Sequence, residues 1–269
     1  MPRLINLHPR RSSALALSAL PFILLLLAYA FGSNLRLAEN PGDKLLPALG
    51  TLFSTFKQYA VEEDARSGAV LLWLDTFSSL KRIGIALSIS AAIALMIGLC
   101  LGTIPLLRAT FGNFITVVSM IPPLAILPIL FIALGLGELS KITLIIIGIT
   151  PVMIRDLSQR CAELPAEQLI KAQTLGANSW QLVLRVVLPQ ILPRLLGALR
   201  LSLASAWLFL ISAEAIASTE GLGYRIFLVR RYLAMDVILP YVIWITLLAF
   251  LMDWLLRLLS RKAFPWAES

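Results

Sequence analysis

The chain has 269 residues, 59% of them hydrophobic and 14% charged, with a mean hydropathy of +0.87. A soluble domain carries about 25% charged residues, so this composition argues against a water-soluble globule and for an all-α membrane protein. The net charge of +8 is sorted by position along the chain and does not read as a nucleic-acid footprint.

Charge-free stretches cover 12–35, 83–107, 109–137, 142–154, 201–213 and 237–252. A spanning helix needs about 20 mostly apolar residues. Three stretches meet that length outright. The other three reach it with Arg155, Arg200, Glu214 and Asp253, whose polar heads reach the interface or a protein interior. Six transmembrane helices follow.

The first is expected over 14–31, behind a basic tail holding Arg3, Arg10 and Arg11. Ala28-Tyr29-Ala30 has the small residues of a leader cleavage site, but the run is longer than a leader core, so a retained helix is the reading. An external segment over 32–80 follows, with a turn at Asn40-Pro41-Gly42 and an acidic patch at Glu62-Glu63-Asp64. Val70, Trp73, Leu74, Phe77 and Leu80 have helical spacing and lead into the second helix, 83–107. That helix is rich in small residues. Gly98 and Gly102 stand four apart, which lets another helix approach closely, within the subunit or across a dimer.

The third helix, 111–135, contains Pro122, Pro123 and Pro128. Bent backbone at membrane depth survives against protein or a water-filled cavity, so this segment is a candidate lining for a path; a kinked packing helix is the bland reading. The fourth helix, 142–154, precedes a polar loop of about 155–195. Within that loop Gly176 can end one short helix, Asn178 or Ser179 can cap the next, and Leu188-Pro189 is expected to break it before the return to the membrane. The result is an amphipathic helix-turn-helix shaped to dock on something. The fifth helix, 196–217, holds Glu214, which suits either a path or a buried hydrogen-bonded carboxyl. The sixth, 237–259, holds Asp253 four residues before Arg257, the spacing of an ion pair on one helix face.

With the N-terminus in the cytoplasm, 13 of the 23 Lys and Arg residues fall inside, against the four acids Asp156, Glu163, Glu167 and Glu268. The outside carries ten basic and nine acidic residues. This asymmetry places both termini inside. Cys100 and Cys161 are too far apart along the fold to pair. His8 is the single histidine, so a His-built metal site or a Ser-His-Asp triad is excluded by inventory, and no cofactor is expected.

No GxxxxGK[ST] is present, so the chain cannot cradle ATP by that motif. An ion-coupled carrier usually keeps several ionisable groups at mid-membrane, and here Glu214 and Asp253 alone fall within the expected spans. A stand-alone secondary transporter is therefore the weaker reading, and an intramembrane enzyme weaker still, since no nucleophile and base appear together. Six helices point to a dimer around a shared path with a separate motor.

The loop resembles the cytoplasmic EAA motif of ABC importer permeases: Glu-Ala-Ala, three residues, Gly, nine residues, Ile, one residue, Leu-Pro. Ala172, Gly176, Val186, Leu188 and Pro189 match it, and Ile170 and Lys171 depart from it. SSLKRIGIALSIS, IPPLAILPILFIALGLGELSK, the run from KAQTLGANSW to GLGYRI, and RLLSRKAFPW are similar to the nitrate/sulfonate/taurine branch of these permeases, and also to its subgroup found beside urea-carboxylase-type enzymes. The resemblance implies a MetI-like ABC importer permease fold in a bacterial inner membrane. Residues 1–82 would form a tail, an added helix and a periplasmic segment, 83–260 the core, and 261–269 a cytoplasmic tail. It further implies cytoplasmic ABC ATPase subunits held at Ala172, Gly176, Val186, Leu188 and Pro189. A second permease, a periplasmic or lipid-anchored solute-binding protein and surrounding membrane lipid complete the assembly. The expected path residues are Pro122, Pro123 and Glu214. The solute would be a small polar one, nitrate-, sulfonate- or taurine-like, or a urea- or guanidine-like nitrogen compound.

Overall fold

The computed structural model describes residues 11–64 and 68–267; His8, Arg3, Arg10 and Glu268 lie outside the described residues. Eleven α-helices run in order, with no strand among the described residues. Five helices are long and apolar enough to cross a membrane, and one bent pair makes a sixth crossing if it counts as one span.

Helix α1 (Arg11–Glu39) is nearly all exposed apolar surface and makes no extensive contact with any other helix. It is tied instead to the loop behind it: Tyr29 Oη donates to Pro47 O at 2.7 Å, Ser33 Oγ to Leu46 O at 2.9 Å, and Arg36 pairs with Asp43. At the expected turn, the Gly42 amide donates to Asn40 Oδ1 at 3.0 Å, and α2 (Leu49–Val61) follows. Helix α2 lies on α11 (Met235–Ala263) through rings, with Phe56 and Trp244 centroids 5.8 Å apart and Tyr59 and Tyr241 at 5.9 Å.

Helix α3 (Leu71–Thr103) joins the Val70–Leu80 spacing and the second expected span into one helix. It ends at Thr103 rather than 107, because Pro105 cannot extend it and instead opens α4 (Pro105–Val118). Helices α3 and α6 (Glu138–Ala162) form the central seam. A Cβ at Gly98 would lie 2.8 Å from Leu157 Cβ, and one at Gly102 only 2.3 Å from Cys161 Cβ. The small-residue spacing thus serves a contact inside the subunit. Gly148 on α6 takes Phe209 of α9 (Leu188–Ala217) in the same manner, with a built Cβ 2.4 Å from Phe209 Cε2.

Three boundary expectations need correction. The third span is not one kinked helix: α4 and α5 (Pro123–Leu134) meet at 90° across residues 119–122. Successive prolines at 122 and 123 disfavour helix before each of them, so the chain turns instead of bending. The fourth helix runs to Ala162, so Arg155, Asp156, Arg160 and Cys161 belong to α6 and not to a loop; Asp156–Arg160 at 3.5 Å and Arg160–Glu163 at 3.4 Å support its last turns. The third correction concerns Pro189 and is part of the site.

Candidate functional site

Helix α7 (Ala166–Thr174) ends in a Schellman turn. The Gly176 amide bonds Gln173 O at 2.9 Å and the Ala177 amide bonds Ala172 O at 3.0 Å. Gly176 has φ +82°, a left-handed conformation that favours glycine. Asn178 then caps α8 (Ser179–Leu182) in a full capping box: the Gln181 amide donates to Asn178 Oδ1 at 2.8 Å, and the Asn178 amide donates to Gln181 Oε1 at 3.0 Å. The Schellman turn and the capping box thus tie the end of α7 and the start of α8 together by local hydrogen bonds.

The chain does not break at Leu188-Pro189. Residues Val183–Val187 form a π turn that passes directly into α9, giving one helical run over Ser179–Ala217. In an α-helix, Pro189 would clash with the Arg185 carbonyl and leave it without a donor. The π turn shifts the register, with the Leu188 amide bonding Val183 O, and so admits the proline. Gln190 Nε2 bonds Val186 O at 2.8 Å and Gln168 Oε1 at 3.1 Å, tying the turn to α7.

These residues divide into two groups. Ala172, Val186, Leu188 and Pro189 are half-buried and build the elbow, whereas Gly176 sits at its exposed tip. Around that tip Ile170, Leu175, Trp180 and Leu184 are exposed, Leu175 at 81% and Trp180 at 71%. Ile170 lies on the nine-residue α7 and Leu175 at its end, a helix too short to span a membrane, while Trp180 and Leu184 open the run that continues into α9. The periodicity of the loop gave the elbow, but the Gly-to-Pro pattern drew attention to its framework more than to its contact face.

At the opposite end of the bundle is a buried ionic network that the sequence did not announce. Glu214 is fully enclosed and accepts from Arg82 Nη1 at 2.7 Å, Ser79 Oγ at 2.8 Å and the Gly223 amide at 2.9 Å. Arg82 also bonds Glu138 at 2.5 and 2.8 Å and Glu220 O at 3.0 Å. Asp75 accepts from Arg225 at 2.8 Å and from the Gly221 amide at 2.9 Å. Burial works against the Arg225 charge, but the bond and field of Asp75 outweigh it and hold Arg225 above the usual range. Gly221, at φ +122°, admits no side chain: a Cβ would lie 2.6 Å from Glu214 Cδ and 2.7 Å from Arg82 Nη1. This network joins α3, α6, α9 and α10 (Leu222–Arg230). Within the subunit Glu214 has the environment of a buried, hydrogen-bonded carboxyl. Asp75, Arg82 and Lys141, whose ammonium donates to Glu138 at 2.8 Å, were the available signal, being charges set into otherwise apolar helices.

Pro122 and Pro123 sit at the α4–α5 turn. Beside the turn, Arg155 Nη1 donates to Ser119 Oγ at 2.8 Å. A cavity of about 320 Å³ lined by Arg108, Arg155, Thr116 and Ser158 lies on the elbow side of this turn. Asp253 pairs with Arg257 at 3.3 Å as its spacing predicted, and more closely with Arg200 at 2.7 Å.

Residues 84–265 match the family described as "Binding-protein-dependent transport system inner membrane component". The chain belongs to that family. It is an inner-membrane permease subunit of an ABC importer. The permease is 35% identical over 195 residues to the taurine transport system permease of Escherichia coli (strain K12), covering 72% of this chain and 71% of that one. It is 30% identical over 226 residues to a putative aliphatic sulfonates transport permease of Bacillus subtilis (strain 168), covering 84% and 79%. A bicarbonate transport system permease of Synechococcus elongatus is 30% identical over 199 residues, covering 71% and 70%. The permease shares its fold with a chain of the inward-facing MetNI methionine ABC transporter, at TM-score 0.64 and 20% identity, covering 74% of this chain and 99% of that one. The MetI-like all-α fold follows from these matches.

Proposed function

We propose that this permease forms one half of a translocation path for a small sulfonate-like solute and is driven through the 166–187 elbow by a cytoplasmic ATPase. The observation that carries the reading is the elbow itself: a locally capped helix-turn-helix with Leu175 and Trp180 exposed, continuous through the π turn with the 30-residue helix α9. A push on the tip is transmitted along a single rigid rod. Leu175 and Trp180 bury apolar area in a groove of the motor, while Ala172, Val186, Leu188 and Pro189 keep the lever in register. Closure of two ATPases around ATP then tilts two permease copies, and the nucleotide supplies the differential binding that this chain lacks. Arg108, Arg155, Arg160, Lys171, Arg185 and the C-terminal bases support the elbow end as cytoplasmic, with both termini there. An external solute receptor selects the cargo at the other end.

Pro122 and Pro123 support a path beside the α4–α5 turn, because a 90° break with exposed backbone at membrane depth calls for protein or water beside it. Arg108 and Arg155 in the adjoining cavity favour an anionic solute over a guanidine-like cation. Glu214 serves this path indirectly, by fixing α9 against α3. Co-purification tests the motor contact: Trp180→Ala and Gly176→Asp should leave the permease in the membrane and lose the ATPase. An unchanged ATPase yield from both variants would refute the elbow as the motor contact.

A further inference from the structure

A second polar cavity, of about 350 Å³, opens where the first turns of α9 meet the end of α11. Gln190, Arg194, Arg200, Ser260 and Trp266 line it. Its charge is one-sided. Asp253 holds Arg200 at 2.7 Å and Arg257 at 3.3 Å, but Arg194 is exposed and has no partner among the described residues, and neither does the Ser260 hydroxyl. Arg257, Arg261 and Lys262 crowd the last turns of α11, with Glu268 the one acid in the tail sequence. A fork-shaped donor beside a hydroxyl, in a basic concavity, matches a tetrahedral oxyanion. The rim is apolar. Trp266 is exposed and stacks edge-on against Phe264 at 5.5 Å, while Trp254, Leu255 and Leu259 expose carbon surface along α11. A basic pocket at the foot of spanning helices, with a Trp rim and apolar helix surface beside it, is the environment of a phospholipid headgroup with its acyl chains on the helix.

We propose that this cavity binds the phosphate oxyanion of an anionic phospholipid, with Arg194 and Ser260 as its direct donors and Trp266 as its interfacial wall. Gln190 forms part of the cavity and also bonds Gln168 of α7, so the bound headgroup sits at the root of the elbow.

The test uses the full chain in nanodiscs of mixed phosphatidylglycerol and phosphatidylcholine, followed by native mass spectrometry of retained lipid. A symmetrical bilayer makes the result independent of orientation, motor and transport, so failure here is distinct from failure of the proposed function. The chain should retain phosphatidylglycerol over phosphatidylcholine at least fivefold, and Arg194→Gln with Ser260→Ala should abolish that preference. Arg194 is exposed, so folding is not at risk, and Arg230→Gln at the opposite end serves as the control variant. Inorganic phosphate at millimolar levels separates the sources: persistence of the lipid assigns the site to the headgroup, and displacement assigns the same donors to a soluble oxyanion. Equal retention of both lipids, or an unchanged preference in the double variant, would overturn the proposal.

Discussion

Glu214 and Arg82 offer a quantitative test of the far-end network. Their side chains are 0% and 2% exposed, so neither charge is solvated when its partner is removed. Removing one member of a buried pair costs about 3–5 kcal/mol, whereas replacing both with apolar groups is often close to neutral. The two single variants should not be equal. Glu214→Leu leaves Arg82 with two bonds to Glu138, a residue that is 56% exposed and already charged, so its cost belongs near the lower figure. Arg82→Met strands a fully enclosed carboxylate on Ser79 and the Gly223 amide, so its cost belongs near the upper figure. At about 2–4 °C per kcal/mol for a chain of this size, the thermal midpoint should fall by about 10 °C for Glu214→Leu and further for Arg82→Met. The double variant should recover at least about 2 kcal/mol relative to the sum, the size of coupling seen between residues in direct contact. Size-exclusion thermostability of the detergent-solubilised chain reads all three. Additive losses, or a milder Arg82→Met than Glu214→Leu, would refute the assigned geometry.

Gly102→Val places carbon 2.3 Å from Cys161 Cβ, so the α3–α6 seam must open; overpacking of about 1–3 kcal/mol or more should appear in the same thermostability assay, while Gly84→Ala, with open space around it, should show no loss and up to about 1 kcal/mol of gain. Asn178→Ala removes the capping box and should cost about 1 kcal/mol locally, read as faster hydrogen exchange at the Gln181 and Leu182 amides with unchanged exchange in α9. Pro189→Ala frees the π turn to tighten into α-helix; the one-residue shift of hydrogen-bond register rotates Trp180 by about 100° about the α9 axis, and coupled ATP hydrolysis should fall while membrane insertion is kept.

The spans were legible because a bilayer makes hydrophobic length decisive: 142–154, 196–217 and 237–259 fall wholly on long helices, and 83–107 does so up to Thr103. The elbow was legible because Gly176 and Asn178 act on neighbours within a few residues. What escaped depends on pairing across the chain. Arg82 meets Glu214 at a separation of 132 residues, and nothing local in the sequence links the two. Pro189 misled for a different reason. A proline forbids an α-helical bond to the residue four before it, and a π turn evades that ban with no separate sequence signature. At 119–122 the prolines did break the helix, because two in succession leave no register that absorbs both.

The proposed function has this chain levered through the elbow tip, from the cytosolic side, by a separate ATPase. A photo-crosslinking residue at position 180, in cells expressing the assembled transporter, tests it most directly. The account predicts an adduct with a nucleotide-hydrolysing subunit, together with protection of Trp180→Cys from an impermeant thiol reagent added outside intact cells. An adduct with an exterior protein, or labelling of that cysteine from outside, would contradict it.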